Sequence, residues 1–262
     1  MVETKSRRQD KESGVGTSTE TSEEKIEKAK KPKAFDFKLD TEEMTKVGLQ
    51  FGHKTSNCHP KMKPFLEGVR NTINIIDLAK TKEKFEEALK FIQKIVSENK
   101  TLLLVGTKIQ AKKMIEEVAK ECAFPYVSER WLGGTLTNFE TILKRINYFK
   151  ELERKLKEGE LEKYTKKERA LFNKELERLK GKFEGVRELT RIPDAIFVLG
   201  MKEDELAIKE AKIRRIRVIA VADTNTDPSL VDFPIPANDD ATSSIKYILE
   251  KVKEVILKSK EK

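Results

Sequence analysis

TLLLV, at residues 101–105, is a continuous run of apolar side chains with charged segments on either side. A run without polar alternation is typical of a strand that is covered on both faces, as in a parallel sheet. Apolar residues spaced three and four apart predict one helix over residues 80–98 and another over residues 107–122. A buried strand between two amphipathic helices predicts an α/β fold.

Four further runs extend this alternation of strands and helices. They predict strands at TINIIDL (72–78), at residues 126–127, at AIFVL (195–199) and at VIAV (218–221). Apolar periodicity predicts two more helices, over residues 203–215 and 242–257. We therefore expect these strands to form a parallel sheet that helices cover on both faces.

The alternation is interrupted at residues 142–188, where dense charge surrounds two narrow apolar stripes. The stripes step by three and four residues and comprise Ile142, Ile146, Phe149, Leu152 and Leu156, then Phe172, Leu176, Leu179, Phe183 and Val186. Between them, Thr165 and Glu168 match a helix capping box. The pattern predicts an antiparallel coiled-coil hairpin that projects from the α/β body. A solvated surface explains most of its charges, and a surface for a protein partner is the functional alternative.

The length of 262 residues is enough for one large domain or two small ones. Residues 1–33 are rich in Lys, Glu, Ser and Thr and have almost no large apolar groups, so we predict a disordered extension there. We predict a single α/β domain over residues 34–258, interrupted by the hairpin at residues 142–188, and a basic tail at residues 259–262.

The chain carries 54 Lys and Arg residues against 45 Asp and Glu residues, a formal net charge of +9. This excess favours an acidic partner, with nucleic acid as the first candidate and an anionic membrane surface as the second. Two cysteines, Cys58 and Cys122, are too few for a disulfide framework and favour a reducing compartment. Because no apolar run approaches the roughly 20 residues of a membrane span, we expect a cytoplasmic protein.

Residues 126–142 read YVSERWLGGTLTNFETI and hold the only tryptophan and the only Gly-Gly pair of the chain. A guanidinium and an indole can stack on bases or sugars, and glycine lets a phosphate approach the backbone. The candidate RNA contacts in this segment are Arg130, Trp131, Gly133, Gly134, Thr135, Thr137 and Asn138. The alternative is a buried tryptophan ahead of a tight turn that begins a long helix.

Residues 50–68, QFGHKTSNCHPKMKPFLEG, are basic and lack apolar periodicity, which predicts an irregular surface loop. Its cations, together with the arginine that follows, are candidate phosphate contacts: Lys54, Lys61, Lys63 and Arg70. A merely solvated loop is the alternative. His53, Cys58 and His59 match no standard zinc-finger spacing, so we predict no metal site.

Parallel α/β sheets also support many enzymes, because ligands bind at the carboxyl ends of their strands. Gly106, Thr107 and Lys108 follow a strand and precede a predicted helix, an arrangement that can hold a phosphate. The chain nevertheless lacks both GxGxxG and GxxxxGK[ST]. Asp223 and Asp239 could act as bases or metal ligands, but turns and helix caps are the interpretation we favour. We predict no catalytic residue, no cofactor and no small-molecule substrate.

Long blocks of the sequence closely resemble the bacterial small-ribosomal-subunit protein two, of the universal S-two ribosomal protein family. The blocks follow the family's order over about residues 40–256. They include FGHKT (51–55), PKMKPF (60–65), RNTINIIDLAKT (70–81), VGTKIQA (105–111), PYVSERWLGGTLTNFETI (125–142), PDAIFVL (193–199) and ADTNTDPSLVDFPIPANDDA (222–241). Any one block alone would be weak, but several long blocks in the same order are specific.

The resemblance implies a three-layer α/β/α sandwich of the flavodoxin-like kind, with a five-stranded parallel sheet and a projecting coiled coil. It also implies a structural constituent of the small ribosomal subunit that binds small-subunit rRNA between head and body. Its protein partners would be neighbouring small-subunit proteins, including the mRNA-binding ribosomal protein one, which docks on the platform that this family helps to form.

Under this interpretation the RNA-binding residues include His53, Asn71 and Lys108 besides the basic segment and the 126–142 loop. The main rivals are an enzyme for a phosphate-bearing ligand and an RNA-binding regulator that acts outside the ribosome.

Overall fold

The computed structural model describes Phe37 and residues 39–260. The predicted extension at residues 1–33 lies outside the described residues, as do residues 261–262 of the predicted tail. Ser259 and Lys260, also assigned to that tail, are instead part of the last helix.

The first sheet is small and antiparallel. It consists of β1 (Phe51–Lys54), β2 (Leu66–Arg70) and β3 (Ile73–Ile76), in the order β1-β3-β2. Asn71 and Thr72 join β2 to β3 with positive φ angles of 47° and 67°, as a two-residue hairpin turn of type I′ requires. The prediction of an irregular loop over residues 50–68 was therefore wrong, since the segment also forms two 3-10 helices, Thr55–Asn57 and Pro60–Phe65.

The second sheet has five parallel strands in the order β5-β4-β6-β7-β8. They are β4 (Leu102–Val105), β5 (Tyr126–Val127), β6 (Ala195–Val198), β7 (Arg217–Ala222) and β8 (Phe233–Pro236). A sheet of five parallel strands was predicted, and five are present. One predicted strand was assigned to the wrong sheet, because the TINIIDL run forms β3 of the small sheet. The strand missing from the prediction is β8, whose two prolines are tolerated because it lies at the edge.

Seven helices of the described chain complete the fold. They are α1 (Thr41–Lys46), α2 (Leu78–Ser97), α3 (Lys112–Cys122), α4 (Phe139–Lys157), α5 (Lys166–Phe183), α6 (Glu205–Ile213) and α7 (Thr242–Lys260). Helices α2 and α3 both contact α7, and α2 also contacts β8. Alternate strand residues such as Leu103 and Val105 instead share a hydrophobic core with residues of α4 and α6. The result is a three-layer α/β/α arrangement.

Helix α3 begins five residues later than predicted. The preceding turn carries Ile109, which was expected on the apolar face of this helix but is 86% exposed. Consequently Gly106, Thr107 and Lys108 do not lie at a helix N-terminus.

Helices α4 and α5 contact each other and are joined by a short 3-10 helix, Glu160–Lys163. The predicted capping box is present: the Thr165 backbone N–H donates to Glu168 Oε2 at 2.9 Å, and the Glu168 N–H donates to Thr165 Oγ1 at 3.4 Å. Four residues of the first predicted stripe are buried, but Leu156 is exposed. Burial of this stripe thus decreases at the C-terminal end of α4.

Candidate nucleic-acid interface

One carboxylate organises the Trp-Gly-Gly loop. Glu210 lies on the buried face of α6, and its Oε1 accepts hydrogen bonds from Trp131 Nε1 at 3.2 Å and from the Gly134 N–H at 2.7 Å. Its Oε2 accepts from the N–H groups of Leu136 and Thr137, at 3.0 and 3.1 Å, and from Thr137 Oγ1 at 3.1 Å. The loop therefore wraps its donors around a single buried acid.

The C-cap residue of the same helix also holds carbonyl groups of this loop. Arg214, one turn beyond Glu210, donates from Nε to the Leu136 carbonyl at 3.0 Å and from Nη2 to the Thr137 carbonyl. Burial raises the pKa of Glu210, but the N–H donors of the loop outweigh it and hold that pKa below the ordinary carboxyl value. Glu210 is thus a buried anion that is fully hydrogen-bonded, and Arg214 secures the other side of the same backbone.

The predicted RNA contacts in this loop separate into an inward and an outward group. Trp131 is only 6% exposed, so the alternative of a packed tryptophan before a turn is confirmed. Thr135 is also buried and donates from Oγ1 to the Leu132 carbonyl at 2.6 Å. Gly134 and Thr137 are partly buried and donate to Glu210. The residues exposed to solvent are Arg130, Gly133 and Asn138.

The small antiparallel sheet presents its cations differently. Ile73 pairs with Lys54 on one side and with Arg70 on the other, so these side chains form one row across the sheet. Adjacent strands lie about 4.8 Å apart, which separates Lys54 from Arg70 by roughly 10 Å. Both are exposed, as is Asn71 at the hairpin turn. Among the described residues neither Lys54 nor Arg70 has an ion-pair partner.

The two lysines of the 3-10 helix Pro60–Phe65 are unequal. Lys61 Nζ lies 2.7 Å from both Asp227 Oδ2 and Ser229 Oγ, so its charge is balanced by an acid of the protein itself. Burial opposes ionisation of Asp227, but the hydrogen bonds from Lys61 and Ser229 lower its pKa to about 2. Lys63 is exposed and has no ion-pair partner in the described part of the chain.

His53 and Lys108 both point into an acidic cluster at the carboxyl edge of the main sheet. Lys108 Nζ contacts Asp239 Oδ1 at 2.6 Å and Asp240 Oδ1 at 2.9 Å, while His53 contacts Asp223 and Asp240. Burial, and then the negative charge of Asp223, raise the pKa of Asp239 to about 7. Phosphate binding at Gly106 to Lys108, the alternative considered for an enzyme, thus has neither a helix N-terminus nor a free lysine, because Lys108 neutralises acids of the protein itself.

The preference for turns and caps among these acids is confirmed only in part. Asp227 Oδ1 accepts the Ser229 N–H at 2.9 Å and caps a 3-10 helix, Pro228–Leu230. Asn238 Oδ1 accepts the N–H groups of Asp240 and Ala241 ahead of α7. The side chain of Asp239 instead lies in the buried cluster.

Sequence reasoning missed both Glu210 and Arg214. A signal was present, because Glu210 follows Ala207 by three residues and precedes Ala211, which places a charge on the buried face of a helix. A charge on such a face needs partners, and the donor-rich loop at residues 130–138 supplies them.

None of the helices in the described part of the chain is both long and apolar enough to cross a membrane.

Comparison with known proteins gives a single family. The model of the family described as Ribosomal protein S2 matches residues 44–259 of this chain. This range contains both sheets and all the helices except part of α1 and the last residue of α7.

Several curated relatives are similar over the same region. Small ribosomal subunit protein uS2 of Dictyoglomus thermophilum is 47% identical over 219 residues, covering 84% of this chain and 89% of the relative. The protein of the same name from Coprothermobacter proteolyticus is also 47% identical, with coverage of 84% and 82%. That of a Nitratiruptor species is 43% identical, again covering 84% and 82%.

Proposed function

This chain belongs to the ribosomal protein S2 family, and from that premise we propose that its outward-facing cations bind small-subunit rRNA between the head and body of the subunit. As a member of the family it is a structural constituent of the small ribosomal subunit and acts in translation, not as an enzyme. The ribosome is also what gives it a cytoplasmic location.

The observation that carries the proposal is which of the candidate cations form ion pairs within the chain. His53, Lys61 and Lys108 have acidic partners within the chain. By contrast, the other cations among the predicted RNA contacts are exposed and have no ion-pair partner in the described part of the chain: Lys54, Lys63, Arg70 and Arg130. Cations that remain free on a rigid surface can neutralise phosphates and release counterions without first breaking an internal ion pair.

Two neutral groups complete the proposed surface. Asn71 sits at the tip of the β2–β3 hairpin, beside the row formed by Lys54 and Arg70. Asn138 and the exposed Gly133 lie with Arg130 on the outer side of the Trp-Gly-Gly loop. Amide groups can hydrogen-bond to sugar and phosphate oxygens, and a glycine backbone allows close approach of RNA. Trp131, Gly134, Thr135 and Thr137 then act by supporting this surface rather than by touching RNA.

The test is binding of the purified protein to small subunits depleted of it. The variant Lys54→Ala with Arg70→Ala removes both ends of the row and should weaken binding by at least about tenfold at moderate salt. The matched control is Lys94→Ala with Lys113→Ala, which removes the same charge from exposed positions of α2 and α3 that also have no ion-pair partner among the described residues. Equal affinities of the two double variants would show that net charge alone drives binding and would contradict the proposed surface.

We further propose that α4 and α5 form an antiparallel coiled coil that projects from the body and meets neighbouring proteins. Its support is the exposure of three apolar side chains, Leu156, Tyr164 and Leu171, on either side of the joining 3-10 helix, in which Leu161 is buried. Replacing residues 153–175 by a short turn should leave rRNA binding intact and remove cross-links to neighbouring proteins. Unchanged cross-links would contradict this role.

Docking of ribosomal protein one on the platform that includes this chain is the last part of the proposal. Subunits reconstituted with and without the chain should differ in how much protein one they retain through sedimentation. A regulator acting outside the ribosome would instead leave this amount unchanged, and most of the chain would sediment apart from subunits.

A further inference from the structure

The acidic cluster at the carboxyl edge of the main sheet joins three distant parts of the chain. His53 comes from β1, Asp223 follows β7, and Asp240 follows β8. His53 Nδ1 lies 3.2 Å from Asp223 Oδ2, and His53 Nε2 lies 3.4 Å from Asp240 Oδ2. One ligand atom from each of these three residues lies within 4.8 Å of the other two. Two ligand atoms of one ion, each bound at about 2.1 Å, lie no more than about 4.2 Å apart. A small rotation of these side chains would therefore let a single ion reach one ring nitrogen of His53 and both carboxylates.

The cluster contains too little positive charge for its acids. Asp223 and Asp239 are each 1% exposed, and Asp240 is the third carboxylate. Against these stand Lys108, which contacts Asp239 and Asp240, and His53, which contacts Asp223 and Asp240 and is charged only when protonated. Buried carboxylates are stable when they are paired or when they coordinate a metal. With His53 as a neutral ligand, a divalent cation would match the charges of Asp223 and Asp240, while Lys108 matches that of Asp239.

Two buried oxygen atoms in the same region lack a partner within the described residues. Asp239 Oδ2 accepts no hydrogen bond, although its residue is almost fully buried. Asn225 Oδ1 is also buried without a partner, while its Nδ2 lies 3.2 Å from His53 Nε2. Buried oxygen acceptors are normally satisfied. Their presence beside the His-Asp-Asp group is an observation independent of the charges.

We propose that His53, Asp223 and Asp240 bind one divalent transition-metal ion, of which Zn²⁺ is the best representative. An imidazole with carboxylates suits Zn²⁺ and similar ions, whereas Mg²⁺ prefers a shell made of oxygen ligands. The ion would tie β1 of the small sheet to the ends of β7 and β8 in the main sheet. The inference does not depend on the proposed RNA-binding surface, and the prediction of no metal site is revised by it.

The experiment uses the full chain after dialysis against a chelator and removal of that chelator. Zn²⁺ is added in competition with a chromophoric chelator, and Mg²⁺ is added in a parallel series. We expect one Zn²⁺ per chain, a raised Tm, and no comparable effect of Mg²⁺ at the same concentration. Because the chain has only two histidines, their ring signals in NMR report the site directly, and Zn²⁺ should move that of His53 and leave that of His59 in place.

Two variants and a matched control identify the ligands. His53→Gln and Asp240→Asn should each lower Zn²⁺ affinity by at least about tenfold, since loss of even an outer-shell partner costs that much. Asp240 is largely exposed, so its variant is expected to fold even if His53→Gln does not. His59→Gln is the control, because His59 Nδ1 only accepts the Lys61 N–H at 3.3 Å.

Three results would overturn the proposal. The first is the absence of stoichiometric Zn²⁺ binding by the folded protein. The second is binding that persists unchanged in Asp240→Asn. The third is Zn²⁺ binding that is lost in His59→Gln, together with a shift of the His59 signal when Zn²⁺ is added to the parent, which would place the metal at Cys58 and His59 instead. Loss of rRNA binding with Zn²⁺ binding intact would bear on the proposed function alone.

Discussion

The Trp-Gly-Gly loop and the β2–β3 hairpin have similar chemistry in the sequence but opposite roles in the structure. Both combine basic, amide and flexible residues. In the loop, the indole and most backbone donors turn inward to Glu210. In the hairpin, Arg70 and Asn71 face solvent, and Lys54 of the neighbouring strand does too. The comparison shows that similar donor-rich segments differ in which way their donors face, depending on whether a buried acid of the same chain accepts from them.

The largest effect is expected from Glu210→Gln, which tests the inward side of the comparison. The amide retains one oxygen acceptor, so several of the donors it faces lose a partner or meet an N–H group. We expect the free energy of unfolding to fall by about 3 kcal/mol or more, measured by urea denaturation. Glu205→Gln, an exposed substitution on the same helix, should change it by less than about 0.5 kcal/mol. Equal effects of the two would show that Glu210 does not organise the loop.

A second prediction contrasts Glu210 with Asp204, a buried acid with fewer donors. Asp204 accepts from the N–H and Oγ1 of Thr107, at 3.2 and 3.0 Å, and burial raises its pKa from 3.8 to about 6. As pH rises from about 4 to about 6, the unfolded chain releases this proton before the folded one does, so Asp204 makes folding less favourable. This contribution is absent below the unfolded pKa and complete above the folded one.

In Asp204→Asn this pH dependence is lost. Relative to the variant, the parent should therefore gain up to about 3 kcal/mol of unfolding free energy between pH 7 and pH 4. Urea denaturation at four pH values measures the difference, in which all other acids cancel. A difference that is independent of pH would mean that Asp204 titrates normally.

A third prediction tests whether Trp131 stabilises the loop or contacts RNA. Trp131→Phe removes the indole N–H bonded to Glu210 and part of a buried side chain, which should cost about 1 to 2 kcal/mol of stability. Affinity for depleted subunits should stay within about twofold at a temperature where the variant is folded. A tenfold loss of affinity from the folded variant would instead place the indole against RNA.

The smallest effect on stability is expected at Arg130, on the outer side of the same loop. Arg130→Ala removes an exposed side chain without an ion-pair partner among the described residues, so stability should change by less than about 0.5 kcal/mol. Its affinity for depleted subunits should nevertheless fall several-fold. Unchanged affinity would confine RNA binding to the small sheet and Lys63.

Local sequence patterns were sufficient to predict much of the fold. The runs TLLLV, AIFVL and VIAV were identified because continuous apolar side chains leave few alternatives to a buried strand. Strand β8 was missed because Pro234 and Pro236 argue against a strand anywhere except at an edge, and position in the sheet is not a local property. Likewise TINIIDL was assigned to the wrong sheet, because its pairing partners could not be identified from its own composition.

The sequence identified candidate RNA-binding residues, but it did not indicate which of them face solvent and which pair with other groups of the chain. Lys54 and Arg70 remain candidates, but Lys108 was paired with acids more than 130 positions away. Such pairings depend on how the strand ends meet at the sheet edge, which periodicity cannot specify. A charged residue such as Glu210 on the apolar face of a helix was the one local sign that the loop had an internal partner.

The most direct test is the salt dependence of binding to depleted subunits. For the parent and for Lys54→Ala with Arg70→Ala, the logarithm of the affinity is plotted against the logarithm of the salt concentration. Each lost phosphate contact should reduce the slope by about 0.7 to 0.9, so the double variant should have a slope smaller by about 1.5. A slope equal to that of the parent would contradict the claim that the outward-facing row binds rRNA.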